Sequence, residues 1–237
     1  MNHVAFKRSS SKQAAEFGRN GKMWNLAGSS KASTQEAEAR PPRYVLWIDS
    51  AGAFLVCLGE RVSIGGASLE GFSADVPLLA SLSRRHATIV RSREGYLLEP
   101  HSTTRVGDRP VDGVVCLHNG YDIELGGSVR LRFWLPTVLS STAALEFVSD
   151  HRPSRSVDGV ILMEDTCLVG PGRENHVRCP EWPESLVLYR SGNQFCCKSR
   201  CDLFVGTARL RDGDPIRPGD VVTGGDGVRF RIETAEF

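Results

Sequence analysis

Long apolar runs are missing from this chain. None reaches the roughly 20 residues that a membrane-spanning helix needs, so no membrane span is expected. An excess of either charge is missing as well. Against 29 Lys and Arg stand 28 Asp and Glu, a net of +1, which gives the chain no electrostatic pull toward nucleic acid or an acidic membrane. There is no Gly-x-Ser-x-Gly elbow and no phosphate-cradling P-loop, and the histidines never fall at a His-x-x-x-His spacing. No acid, base and nucleophile gather in one motif, so neither an enzyme nor a cofactor is expected. A second zinc knuckle is also lacking. Cys197 and Cys201 have one allowed spacing, with Cys196 beside them and Cys167 and Cys179 earlier, but no clear partner pair exists. Cysteines in strands are more often small apolar fillers, so no metal is expected. Lys7 and Arg8 are followed by no apolar stretch. A secretory signal is therefore not expected, and the reading is a cytoplasmic protein with reduced thiols.

What is present is an ordinary globular balance, 41% hydrophobic and 24% charged. Charge is uneven along it. Residues 1–43 carry eight Lys or Arg and three Glu, a net of +5, which leaves −4 for the rest. Residues 1–42 are poor in branched apolar side chains and cannot bury enough surface to offset chain entropy. They are read as a disordered basic tail closed by Pro41-Pro42. Such a dilute basic run is more often solvating than a contact for acidic partners or lipid.

From Tyr44 onward the chain reads as short strands separated by Gly, Asp, Asn or Pro. Candidates in the first half are Tyr44–Ile48, Ala53–Leu58, Arg61–Ile64, Ala87–Arg91, Gly95–Glu99, Asp122–Leu125 and Val129–Trp134. In the second they are Leu145–Val148, Gly159–Met163, Thr166–Val169, Leu186–Tyr189, Gln194–Cys197, Leu203–Val205 and Val228–Ile232. No helical period competes in the first half, and the spacing predicts an all-β, antiparallel sandwich. Two blocks recur in the same order. Leu168-Val169-Gly170 matches Ser63-Ile64-Gly65. Val205-Gly206 followed by Asp220-Val221-Val222 matches Val106-Gly107 followed by Tyr121-Asp122-Ile123. Duplication is favoured over chance, although Gly-Asp turns are common in β proteins. The expected organisation is a sandwich over 43–135, a linker over 136–144 and a second, degenerate sandwich over 145–237.

The stretch that carries chemistry is Leu82-Ser83-Arg84-Arg85-His86-Ala87-Thr88-Ile89. A hydroxyl and a guanidinium stand side by side at the start of a strand, and both can donate to a phosphate oxygen. Taken alone, two arginines at a strand end are more often only solvated. The neighbourhood changes the weighting. Upstream are Val62-Ser63-Ile64-Gly65 and Asp75-Val76-Pro77-Leu78. Downstream are Arg105-Val106-Gly107 and Leu117-His118-Asn119-Gly120-Tyr121-Asp122-Ile123-Glu124-Leu125-Gly126. This ordered series over residues 44–135 resembles the forkhead-associated (FHA) family, with Tyr121 as a one-residue departure in the closing pattern.

The resemblance implies a β-sandwich that reads phosphothreonine peptides through loops at one end. It implies a non-catalytic signalling module with a phosphorylated, kinase-linked protein or peptide as partner. Ser83 matches the serine that donates to the phosphate, and Arg84 follows it. Gly65 ends the strand, and His86 matches a histidine that ties the loops together, a structural role. Two departures stand out. The family arginine after the strand glycine is replaced by Gly66, and the family Asn that holds the peptide is replaced by Ser102, with His101 before it and Thr103 after it. Loss of the arginine predicts weak binding at best, and Gly66→Arg is expected to tighten it if the pocket is otherwise intact. Arg85, His101, Thr103 and Arg105 complete the candidate phosphopeptide site. The second half has no Ser-Arg-x-His; Arg173 with His176 could form an anion site there, against the plainer reading of a solvated Arg173. The alternative to a reader is a phosphate-independent scaffold of paired sandwiches.

Overall fold

The computed structural model describes residues 41–68 and 73–235. The tail read over 1–42 lies outside the described residues up to residue 40. No helix occurs among the described residues, so none is long and apolar enough to cross a membrane. The first half contains β1 (Arg43–Ile48), β2 (Gly52–Cys57), β3 (Arg61–Gly66), β4 (Val76–Leu78), β5 (Ala87–Ser92), β6 (Gly95–Pro100), β7 (Thr104–Val106), β8 (Arg109–Val111), β9 (Val115–Leu117), β10 (Asp122–Leu125) and β11 (Val129–Trp134). The second contains β12 (Ala143–Phe147), β13 (Gly159–Leu162), β14 (Thr166–Gly170), β15 (Val177–Arg178), β16 (Leu186–Ser191), β17 (Gln194–Lys198), β18 (Leu203–Val205), β19 (Ala208–Leu210), β20 (Val221–Gly224) and β21 (Arg229–Thr234).

These strands make three sheets. A five-stranded sheet runs β4-β3-β5-β6-β9 and a four-stranded one β15-β14-β16-β17. The third has twelve strands in the order β19-β18-β20-β21-β1-β2-β13-β12-β11-β10-β7-β8. That order is palindromic about the parallel pair β2–β13, so every strand on one side has a counterpart on the other. In the covering sheets, β3 to β6 match β14 to β17, and the bridge Phe195–Ile216 stands where β6 pairs with β9. Register makes Val169 the counterpart of Ile64, since they face Leu186 and Ala87 respectively. Val205 faces Val222 as Val106 faces Ile123. The repeated blocks of the sequence are thus counterparts in space.

The palindrome crosses the chain. β12 opens the second half yet pairs with β11, the last strand of the first; β1 opens the first half yet pairs with β21. Each half borrows the strand that flanks its closing strand from the other. The segment expected as a linker over 136–144 therefore ends inside β12, and the sheet continues through it. Pairing is mostly antiparallel, as expected, with three parallel exceptions: β2–β13, β3–β4 and β14–β15. Parallel partners cannot be joined by a tight hairpin, and residues 171–176 connect β14 to β15.

Two cores result. The first contains Val45, Leu55, Cys57, Phe133, Leu145, Val160 and Leu162 with the inner face of the five-stranded sheet. The second contains Leu46, Ile48, Val56, Ile161, Phe230 and Ile232 with the four-stranded sheet. Adjacent residues of β1, β2 and β13 thus enter opposite cores, so the two covers lie on opposite faces of the long sheet. This accounts for the sequence of those strands. Val45-Leu46-Trp47-Ile48, Leu55-Val56-Cys57 and Val160-Ile161-Leu162 are unbroken apolar runs, as burial on both faces requires. β11, with Val129, Leu131 and Phe133 inward and Arg130 and Arg132 outward, alternates because one face meets solvent.

Candidate functional site

The Ser83 end is built where the 80–86 turn folds across the end of β3. Gly66 N donates to Ser83 O (3.0 Å) and His86 N to Ile64 O (2.8 Å). The approach is close. A Cβ at Gly65 would lie 2.1 Å from Arg84 O, and one at Gly66 would lie 2.6 Å from Leu82 O. Backbone cannot withdraw as a side-chain tip can, so both positions need glycine. The expectation that an arginine at 66 would complete the pocket is corrected here: Gly66 is buried beneath the turn, with no volume for a side chain.

His86 ties this turn to the next loop. It is 4% exposed. Its Nε2 donates to Thr103 O (2.9 Å), which also accepts from Gly126 N (3.0 Å). His86 O accepts from His101 N (2.9 Å) and Ser102 N (3.1 Å). His86 thus joins the 80–86 and 101–104 segments directly, and the 125–128 segment through the shared acceptor Thr103 O. Asp75 anchors the entry to β4. Its Oδ2 accepts from Ser63 N (2.8 Å) and Ser63 Oγ (2.7 Å), while its own N donates to Ser63 Oγ (3.0 Å).

On this base Ser83 and Ser102 meet, with Oγ atoms 2.7 Å apart. Arg84 is exposed and has no hydrogen bond or ion pair among the described residues. Arg85 is exposed on the same turn, and Thr103 is exposed with its carbonyl used by His86 and Gly126. The other two candidates are held elsewhere. His101 Nε2 bonds Thr88 Oγ1 at 2.8 Å. Arg105 lies between the buried Thr104 and Val106, hence on the outer face of the long sheet. There it bonds Asp108 O and lies 3.9 Å from Glu124, its neighbour in register. Strand alternation, legible in Thr-Arg-Val, was the signal that it points away from the buried flank.

No protein-family model matches the chain, and no curated protein matches it. Among solved structures it is similar to the NMR structure of the FHA-2 domain of an ABC transporter from Mycobacterium tuberculosis. Identity is 24% and the TM-score 0.30, with 55% of this chain and 99% of that chain covered.

The corresponding end of the second half is closed from within. Register makes Leu186 the counterpart of Ala87, which puts Ser185 at His86 and Glu184 at Arg85. Glu184 Oε1 accepts from Cys201 N (2.6 Å) and Ser199 Oγ (3.3 Å), so a carboxylate of the chain itself occupies those donors. The suggested pairing of Arg173 with His176 as an anion site is corrected as well. His176 Nδ1 accepts from Leu168 N (2.9 Å) and Nε2 donates to Thr142 O (3.1 Å), which leaves it no donor for a ligand. Burial pushes its pKa down to about 4, because the charged ring would lose its hydration. Arg173 is exposed. Cys167, Cys179 and Cys197 belong to the second core, and burial pushes the Cys167 and Cys197 thiols up to about 12.

Proposed function

We propose that the chain is a non-catalytic protein-interaction module that binds phosphothreonine peptides weakly at its Ser83 end. The observation that carries this reading is the exposed Ser83–Ser102 hydroxyl pair beside an Arg84 with no partner among the described residues. A phosphate needs several donors at once, and these groups stand on loops held in register by His86. The family resemblance of Ser83-Arg84-x-His86-Ala87 gives the ligand class. Weakness follows from Gly66. One charge-assisted contact is absent, worth about 1.5–3 kcal/mol, or roughly ten- to a hundredfold in affinity.

A pull-down with a phosphothreonine peptide library, run beside its unphosphorylated twin, tests this reading. Phospho-dependent capture is expected, with affinity falling as salt rises. Isothermal titration of a captured peptide should show Ser83→Ala and Arg84→Ala each weakening it about tenfold. The second reading is a phosphate-independent scaffold. It is favoured by the sealed Gly66 and by Glu184, which fills the corresponding end of the other half. Absence of any phospho-dependent ligand would decide for the scaffold.

A further inference from the structure

The two halves differ at the Ser83 end by one long connection. The palindrome makes β12 the counterpart of β1 and β13 the counterpart of β2. The short turn 49–51 joins β1 to β2, whereas 148–158 joins β12 to β13. This extra chain belongs to the second half, yet it lies against the first. Pro153 forms an antiparallel bridge with Leu78, on the outer side of β4, the end strand of the five-stranded sheet. β15, the counterpart of β4, is an end strand with no such bridge among the described residues. The half that keeps Ser83-Arg84-x-His86 is therefore the half whose edge strand is strapped.

The strap is tied at both ends. Arg130 O, at the start of β11, accepts from Val148 N (2.9 Å) and Ser149 N (3.2 Å), and Arg130 N donates to Ser149 Oγ (3.0 Å). At the other end Leu79 N donates to Arg152 O (2.9 Å). Between these points Arg152, itself half-buried, folds the segment back on itself. Its Nη1 donates to Ser149 O (2.6 Å) and His151 O (3.0 Å), and its guanidinium lies 4.9 Å from the centre of the Phe147 ring. Bonds from a charged donor are the stronger kind, so the fold of the strap depends on this side chain. The strap thus runs from the long sheet to the five-stranded sheet.

Leu79 is where the turn that carries Ser83 begins. Leu78 is fully buried and Leu79 is 60% exposed, so the chain leaves the sheet at this point. The other root of the turn is His86, whose N donates to Ile64 O (2.8 Å). The backbone bonds between the roots are Ala80 N to Leu78 O (2.9 Å), Leu82 N to Ala80 O (2.9 Å) and Gly66 N to Ser83 O (3.0 Å). A turn held at both roots meets a ligand already ordered, so its conformational entropy is lost on folding and not on binding.

We propose that 148–153 is a positioning element of the Ser83 end, with Arg152 as its positioning residue. The phosphate-binding end is then built from both halves. The first supplies the donors, and the second supplies the strap that holds their turn. Arg152 acts through Leu79 N and does not touch the peptide. The role in binding rests on the phosphopeptide reading above.

Backbone amide exchange of the full chain, parent against Arg152→Ala, tests this. The substitution removes two hydrogen bonds and a ring contact from the strap and changes no residue of the turn. The amides of Gly66, Leu79, Ala80 and Leu82 should exchange roughly tenfold faster, while those of β1 and β21 stay protected. A thermal melt should show that the fold persists. Arg152→Lys keeps a cation that can still donate to one carbonyl, so it should fall between the two, and it carries the test if Arg152→Ala melts early. A captured phosphothreonine peptide should bind Arg152→Ala several-fold more weakly than the parent, with Arg152→Lys again between. Unchanged exchange over 79–86 would overturn the inference. An affinity loss without faster exchange would do so too, because Arg152 would then be a contact. Faster exchange with unchanged affinity would reduce the strap to a structural part. Should the parent chain bind no phosphopeptide, the reading beneath the inference falls, and the strap positions no ligand site.

Discussion

At the scale of single residues, His176 shows how burial turns a titratable group into a structural one. Both ring nitrogens bond backbone of other segments, Leu168 N and Thr142 O, so the neutral ring is the form the fold requires. In the unfolded chain the ring titrates near 6.5; in the folded protein it does so at about 4. Between these values the unfolded chain holds the extra proton, so acid favours unfolding. The contribution is complete above pH 6.5, falls as pH drops toward 4, and levels off below that. Its full size is on the order of 3 kcal/mol, at about 1.4 kcal/mol per pH unit. Urea unfolding at a series of pH values should show this loss, and His176→Gln should flatten that part of the curve. If the two proteins lost stability in parallel from pH 7 to 4, another group would be the cause.

At the scale of elements, the Ser83 end is decided by how closely the 80–86 turn lies on β3. Gly65 and Gly66 let Leu82 O and Arg84 O approach to distances that no side chain allows. Gly66→Arg should therefore destabilise the chain, by roughly 1–3 kcal/mol as overpacking against backbone does. It should leave phosphopeptide affinity unimproved. Denaturant midpoints and titration with one phosphopeptide measure the two effects. A Gly66→Arg protein that is both as stable as the parent and a tighter binder would mean that the turn lifts away from β3 with ease.

At the scale of the whole molecule, the exchanged strands join the two halves into one sheet. A fragment spanning 43–135 would leave the inner edge of β11 without β12, and β2 without β13. It would also expose Leu46, Ile48 and Val56, which the second core covers. Neither that fragment nor 145–237 is expected to melt cooperatively alone, whereas the two co-expressed should associate and melt as one. Circular dichroism against temperature distinguishes the outcomes. A cooperative melt of 43–135 by itself would show that β12 is dispensable to the first sandwich.

Much of this was legible in the sequence. The alternation in Val129–Trp134 and the apolar runs in β1, β2 and β13 mark strands, and the repeated Gly-containing blocks mark the duplication. Ser83, Arg84 and His86 could be named because the motif is local. The shortest strands, such as β4, β8 and β15, fall below the length at which period can be read. The start of β12 escaped because Ala143-Ala144 has little intrinsic strand preference. Other features depend on groups distant in the chain. The run Val45-Leu46-Trp47-Ile48 states that both faces are buried, but not that β21 and β2 are its neighbours. Gly66 looks like a missing arginine until Leu82 O is placed above it, and Arg105 looks like a phosphate contact until it is found beside Glu124. Local pattern determined which segments are strands and which faces they bury, because period and burial are properties of neighbouring residues. Only tertiary packing decided which strands pair and which side chains converge, because those are set by residues far apart in the chain competing for the same surface.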